Sequence, residues 1–317
     1  MTIEHLQGLI AAPFTPMHSD GSLNLTLIPA YYQLLKQNGN TGAFICGSTG
    51  EGVSLSLAEK KKVAEAWAEA TQGDSGFKVI TLVGGTCLSD AIELAQHAQQ
   101  VKLHAVSFTG PSYFKPATVQ MLALCCKAVA DAVPEMPFYY YHIPVLTGVN
   151  FPMVDLLAEV QGQVPNFAGI KYTHEDFMDY LSCLRFDQGR YDMLWGRDEN
   201  LLSALVLGAK GGVGSTYNYA APLYTGLMEA YHQGDLQRAR QIQQQSIDMI
   251  RLLGKYGGIA TGKAYMKVIG LDCGQFRLPV SNMSAAQFEA FSEEVATLGF
   301  KEFCSRSSEL SMHKMVL

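Results

Sequence analysis

The sequence predicts an α/β protein of the (β/α)8 barrel class (a TIM barrel) with additional C-terminal helices. Three observations predict it. Eight short apolar runs recur through the first two thirds of the 317 residues, at intervals of about 20 to 36 residues. Segments of helical periodicity lie between them. The runs are near-continuously apolar rather than alternating, as in strands covered on both faces of a parallel sheet. Eight such units point to a closed barrel. An open doubly wound sheet is the competing architecture. It usually carries a glycine-rich phosphate turn after its first strand, and the segment here, TPMHSDGS, does not match that pattern.

In chain order the runs are GLIAAPF (8–14), GAFICG (42–47), KVITLVGG (78–85), HAVSFTG (104–110), PFYYYHIP (137–144), FAGIKYT (167–173), YDMLWG (191–196) and GGVGST (211–216). Segments such as LSLAEKKKVAEAWAEA (55–70) and DAIELAQHAQQV (90–101) repeat apolar residues at the helical period. From residue 217 to about 300 the pattern is helical throughout. One of these helices completes the eighth unit, and the others form an added layer. The expected organisation is a barrel over residues 1–232, a helical extension over 233–300 packed on it, and a flexible tail over 301–317 that lacks periodicity.

Composition narrows the function classes. Hydrophobic residues make up 48%, enough for a large core. A formal charge of -6 gives no electrostatic reason to expect nucleic acid or an anionic membrane. An anionic substrate must then be held by local donors. No run reaches the roughly 18 apolar residues of a membrane span. The apolar LIAAPF near the N-terminus is too short for a signal segment and is broken by Pro13. Seven scattered cysteines without a CxxC pair read as free thiols in a reducing compartment, so a cytoplasmic protein is expected. The eight histidines are dispersed, with no HxH or HExxH pattern, and no metal site is expected.

Barrel active sites lie at the C-terminal strand ends. The polar residues at those ends are Ser48 and Thr49 after the second run, Tyr113 after the fourth, Tyr141 in the fifth, Lys171 and Thr173 at the sixth, Asp198 and Glu199 after the seventh, and Ser215 after the eighth. Lys171 is the sharpest. Taken alone, a strand-end lysine snorkels to the barrel rim. A strand buried on both faces, however, has nowhere easy to send an ammonium, and a tyrosine-rich strand precedes it. A desolvated lysine loses its proton more readily and attacks carbonyls. An ordinary lysine, with a pKa of about 10.4, is neutral about once in 2,500 at pH 7. Alternation sends Tyr139 and Tyr141 to one face and Tyr140 to the other. An inward Tyr141 beside Lys171 can move protons, and aromatic packing accounts for at least one of the three tyrosines. The glycine-flanked GSTGEG (47–52) is either an ordinary turn or a carboxylate-binding loop. Asp198 and Glu199 open a helix, where acids also serve the helix dipole.

Together, GSTGEG (47–52), YHIPVLTG (141–148), GIKYT (169–173), WGRDE (195–199) and GGVGSTYN (211–218) resemble the superfamily of lysine-dependent aldolases that holds N-acetylneuraminate lyases and dihydrodipicolinate synthases, over roughly residues 5–300. The resemblance implies that Lys171 forms an imine with pyruvate, that Tyr141 shuttles protons, and that Ser48 and Thr49 bind the pyruvyl carboxylate, with Thr49 also linked to Tyr141. It implies no cofactor other than the covalent imine on Lys171. Tyr113 matches a position from which some relatives reach across a subunit interface as a relay, and relatives are commonly homotetramers.

Within the superfamily, Leu146 stands where the synthases carry an arginine that grips a second carboxylate. The segments HIPVLTG and GSTYN resemble the sialic acid lyase side, and His142, where many relatives have asparagine, resembles its animal-type branch. On that side Thr173, Gly196, Asp198, Glu199 and Ser215 match positions that bind the polyhydroxylated tail of a sugar acid. The expected activity is cleavage of N-acetylneuraminate to N-acetylmannosamine and pyruvate. Two alternatives stay open. One is another pyruvate-dependent aldolase or dehydratase, acting on a 2-keto-3-deoxy sugar acid or 4-hydroxy-2-oxoglutarate. The other is a non-catalytic barrel that binds a keto acid.

Overall fold

The computed structural model describes residues 2–306. Its strands are β1 (Gly8–Ala11), β2 (Asn40–Ile45), β3 (Lys78–Leu82), β4 (Ala105–Phe108), β5 (Phe138–His142), β6 (Phe167–Tyr172), β7 (Asp192–Trp195) and β8 (Gly211–Gly214). Each pairs in parallel with the next, and β8 returns to β1 to close the barrel. Each predicted run coincides with one strand, and only β2 starts outside its run, two residues early at Asn40. The other seven runs are longer than their strands because they include the apolar loop starts; β1, for example, stops before Pro13, which has no N–H for a ladder.

Two cores follow from the alternation of side chains. Ile10, Phe44, Ile80, Tyr139, Tyr141, Leu194 and Val213 fill the barrel interior. The opposite strand faces, including Tyr140, Ile170, Tyr172 and Trp195, pack outwards against the helices. The tyrosine triplet is thus split as its period requires.

The interior has a polar floor. Asp192, at the start of β7, accepts hydrogen bonds through Oδ2 from the Tyr139 hydroxyl at 2.9 Å and the Leu6 N–H at 3.2 Å. Burial pushes its pKa up to about 7, against the pull of those two donors. The unfolded chain ionises this carboxyl near pH 4, whereas the fold keeps it protonated until about 7. Stability is therefore lost as pH rises through that window, by up to roughly 4 kcal/mol. Asp192→Asn, whose amide oxygen can take both hydrogen bonds, is expected to be more stable than the wild type in urea denaturation at pH 8. The gap should close towards pH 4; a variant less stable at pH 8 would show that the ionised acid supports the fold.

The eighth helix, Tyr217–His232, and the following Leu236–Lys255 lie against each other, and Ala239, Ile242 and Met249 of the latter join the outer core. Thr261–Val268 and Ala285–Thr297 complete the C-terminal layer. Residues 301–306, the first part of the segment expected to be a flexible tail, lie among the described residues and make specific contacts. Pro222 inside Tyr217–His232, with non-helical Ala220 beside it, breaks the helix ladder. Ser305 meets that break: its N–H donates to the Tyr219 carbonyl at 2.7 Å, and its Oγ accepts from the Ala221 N–H at 3.2 Å. Ser305 is tied to a kink that periodicity does not show. The rest of the expected tail, 307–317, lies outside the described residues.

Candidate active site

Lys171 lies on β6 facing the barrel interior, paired in register with Tyr141 on β5 and Leu194 on β7. Only 4% of it is exposed. Its Nζ stands 3.9 Å from the centroid of the Phe44 ring and 4.0 Å from that of Tyr141. The two rings meet edge to face, with centroids 5.5 Å apart. The amine is thus walled by aromatic surface instead of water. Burial lowers its pKa to about 7, while the charge of Asp198 pulls it back up. Near neutral pH a large share of Lys171 is an unprotonated nucleophile, a gain of about three orders of magnitude over an ordinary lysine.

Tyr141 is buried, and burial raises its pKa; the hydroxyls of Ser48 and Thr173 draw it down again. The phenol therefore holds its proton unless a base or a substrate oxygen takes it. Thr173 follows Lys171 by two residues and so points the same way. Its Oγ1 is buried, with no hydrogen-bond partner of good geometry among the described residues. Gly196, at the end of β7, is glycine for a packing reason: a Cβ there would overlap Thr173 Oγ1.

Ser48 and Thr49 sit in the turn after β2. Ser48 is half-buried, and Thr49 is buried. The hydroxyl that bears on Tyr141 from this turn is that of Ser48, where the resemblance implied Thr49.

Asp198, just after β7, is buried. Its Oδ2 accepts from the Thr216 N–H at 2.9 Å and the Thr216 hydroxyl at 2.6 Å. Burial raises its pKa to about 7, against the pull of Thr216. A Cβ at Gly214 of β8 would overlap this carboxylate, so the glycine makes room for it. Glu199 is half-buried at the rim and accepts from Arg197 Nη2 at 2.7 Å. Ser215, after β8, is half-buried, and its carbonyl accepts from Asn218 Nδ2 at 2.7 Å.

Lys171, Tyr141, Ser48 and Thr173 thus converge, with Asp198 close enough to act on Lys171 through its charge. Tyr113 does not join them. It is 79% exposed and packs on Phe114, ring centroids 5.2 Å apart. Sequence reasoning missed Phe44, Thr216 and Arg197. Phe44 is an apolar residue in an apolar run, and only its ring position beside Nζ gives it a role. Thr216 sits one residue past a flagged serine. Arg197 stands inside WGRDE, and its charge was the available signal.

A buried lysine facing a tyrosine inside an eight-stranded barrel is also the ground for comparison with known proteins. The family model described as the dihydrodipicolinate synthetase family matches residues 5–298. The chain belongs to that family. Among its relatives, N-acetylneuraminate lyase A of Xenopus laevis is 41% identical over 280 residues, covering 87% of this chain and 91% of the relative. Human N-acetylneuraminate lyase is 39% identical over 307 residues and 94% of each chain. The solved structure of Proteus mirabilis N-acetylneuraminate lyase superposes with a TM-score of 0.91 at 39% identity, covering 94% of this chain and all of the other. Membership in the family brings the aldolase fold and makes this chain an enzyme of the lyase type.

Proposed function

We propose that this chain is a Schiff-base aldolase that cleaves N-acetylneuraminate into N-acetylmannosamine and pyruvate. The observation that carries the reading is the desolvated Lys171, held between Phe44 and Tyr141 with a pKa of about 7. Unprotonated Nζ attacks the C2 ketone of the open-chain sugar acid, and water leaves to give a protonated imine. The Tyr141 oxygen takes the C4 hydroxyl proton as the phenol hands its own proton to the substrate carboxylate, which returns it for the later protonation at C3. The C3–C4 bond breaks, its electron pair moving into the imine to give an enamine, and N-acetylmannosamine departs. Protonation of the enamine at C3 and hydrolysis return pyruvate and free Lys171. The imine is the electron sink, so the sequence of steps calls on no cofactor.

Ser48 and Thr49 are the donors for the pyruvyl carboxylate, and Thr173 Oγ1 adds one close to Tyr141. Thr173, Gly196, Asp198, Glu199 and Ser215 line the route for the hydroxylated tail. Leu146, exposed on the short helix Pro144–Thr147, offers no guanidinium for a second carboxylate, which argues against a dicarboxylic product. The lyase names of the relatives support sialic acid. One observation favours the broader reading, an aldolase or dehydratase for another 2-keto-3-deoxy sugar acid: Oδ2 of Asp198 is already taken by Thr216, which limits what that acid accepts from vicinal hydroxyls.

A pyruvate-release assay across a panel of sugar acids tests the choice. N-acetylneuraminate should give the highest kcat/KM; a higher value for another sugar acid moves the assignment to that compound, and no pyruvate from any of them would overturn the sugar-acid aldolase reading. Two further parts of the proposal stand on less specific features. All seven thiols are unpaired, which suits the cytoplasm. No helix among the described residues is long and apolar enough to cross a membrane. The exposed Tyr113–Phe114 pair is the kind of surface a homotetramer covers; the mass of a single chain in light scattering would refute that assembly.

A further inference from the structure

The 47–52 loop is fixed from an unexpected side. Cys46 and Glu51, which bracket Ser48 and Thr49, both adopt left-handed backbone, with φ of 55° and 57°. Non-glycine residues hold such angles only where surrounding contacts dictate them. Gly50 O accepts from the Thr15 hydroxyl at 2.6 Å, and the Gly52 N–H closes the turn onto Gly47 O at 3.0 Å. The remaining hold comes from the C-terminal layer. Glu51 Oε1 accepts from Lys263 Nζ at 2.8 Å, and Oε2 accepts from the Arg277 N–H at 2.8 Å. Both side chains of the ion pair are almost fully buried, at 2% and 3% exposure. Lys263, on helix Thr261–Val268, also donates to the Gln275 carbonyl at 2.9 Å and lies 4.9 Å from the centre of the Phe276 ring. The Arg277 guanidinium clasps Glu59, Ser54 O and Gly21 O just beyond the loop. Among the contacts of the described residues, those of Glu51 and Lys263 go to the loop and to the C-terminal layer, so the pair acts on the loop and not on the reacting atoms.

We infer that Glu51 and Lys263 are positioning residues, through which the C-terminal helical layer sets the 47–52 loop so that Ser48 faces Tyr141 and the pyruvyl carboxylate. This rests on the aldolase reading above. A buried ion pair is a weak source of stability, since uncharged residues of similar shape often replace it without loss. Its burial is therefore better explained by the geometry it dictates.

The test is borohydride trapping of pyruvate on Lys171, read by mass, in the wild type, in Glu51→Gln, in Lys263→Met and in the double variant Glu51→Gln/Lys263→Met. Each single variant should need a pyruvate concentration about tenfold or more higher for half-maximal trapping, with the maximal adduct retained. The double variant separates positioning from stability. Its thermal midpoint should recover towards the wild type while its half-saturating pyruvate stays high. Half-saturation at the wild-type concentration in the double variant would overturn the inference. If the single variants do not fold, the double variant decides alone, by the same two outcomes. The absence of any adduct in the wild type would overturn the aldolase reading, and this inference with it.

Discussion

Lys171→Met is expected to abolish both the borohydride-trapped pyruvate adduct and turnover, and at the same time to stabilise the protein at pH 7. Loss of a covalent nucleophile costs up to about 10⁶ in kcat, and no neighbour here can substitute. The stability gain follows from burial. An unfolded lysine holds its proton below about pH 10.5, whereas the native site releases it near 7. The native state thus binds fewer protons across that window, and stability declines as pH falls from 10.5 to 7, by on the order of 4 kcal/mol. Below 7 the deficit is constant. Methionine has a similar shape, keeps contact with the Phe44 and Tyr141 rings, and carries no charge to desolvate. In urea denaturation the variant should therefore exceed the wild type clearly at pH 7 and much less at pH 10. An adduct that persists would move the nucleophile elsewhere. A variant no more stable at pH 7 than at pH 10, relative to wild type, would show that Lys171 is better solvated than its surroundings imply.

That a functional site carries a stability deficit explains why Lys171 was legible in the sequence. A lone lysine among the apolar residues of FAGIKYT breaks the local rule for a doubly covered strand, and such breaks mark function. The split of Tyr139, Tyr140 and Tyr141 was legible because a two-residue period fixes it. The barrel was legible because each run is long enough to bury a strand and too short for a helix. Other parts were not. The second wall of the Lys171 site is Phe44, set edge to face against Tyr141, which obeys every local rule and gives no signal. Asp198 reads as an acid open to substrate, yet Thr216 holds one of its oxygens across the neighbouring β7 and β8 loops, a pairing that depends on how those two strands lie side by side. Glu51 and Lys263 lie 212 positions apart, and nothing in either neighbourhood names the other. Ser305 is anchored only because Pro222 breaks a distant helix. Local pattern reports period and exposure; it does not report which long-range partner completes a polar group.

Tyr141→Phe should separate imine formation from bond cleavage. The change removes one oxygen and keeps the ring that walls Lys171. Burial of Lys171 is unchanged, so its amine stays largely neutral and the pyruvate adduct should form as in the wild type. Cleavage differs, because the C4 hydroxyl proton has lost its relay. General acid–base groups contribute about 10²–10⁴ in rate, and kcat should fall by that factor. The phenol is well suited to a relay and poorly suited to be a standing base: burial raises its pKa, and the Ser48 and Thr173 hydroxyls only partly offset that rise. A proton must therefore arrive and leave in concert, with the two hydroxyls sharing the charge as it moves. It follows that Thr173→Val, which removes a hydroxyl that bears on the phenol, should lower kcat more than it raises KM. Wild-type turnover in Tyr141→Phe would return the tyrosine to the aromatic core and leave the substrate carboxylate, acting alone, to take the proton. Trapping lost along with turnover would instead place Tyr141 in imine formation, upstream of the carbon–carbon bond.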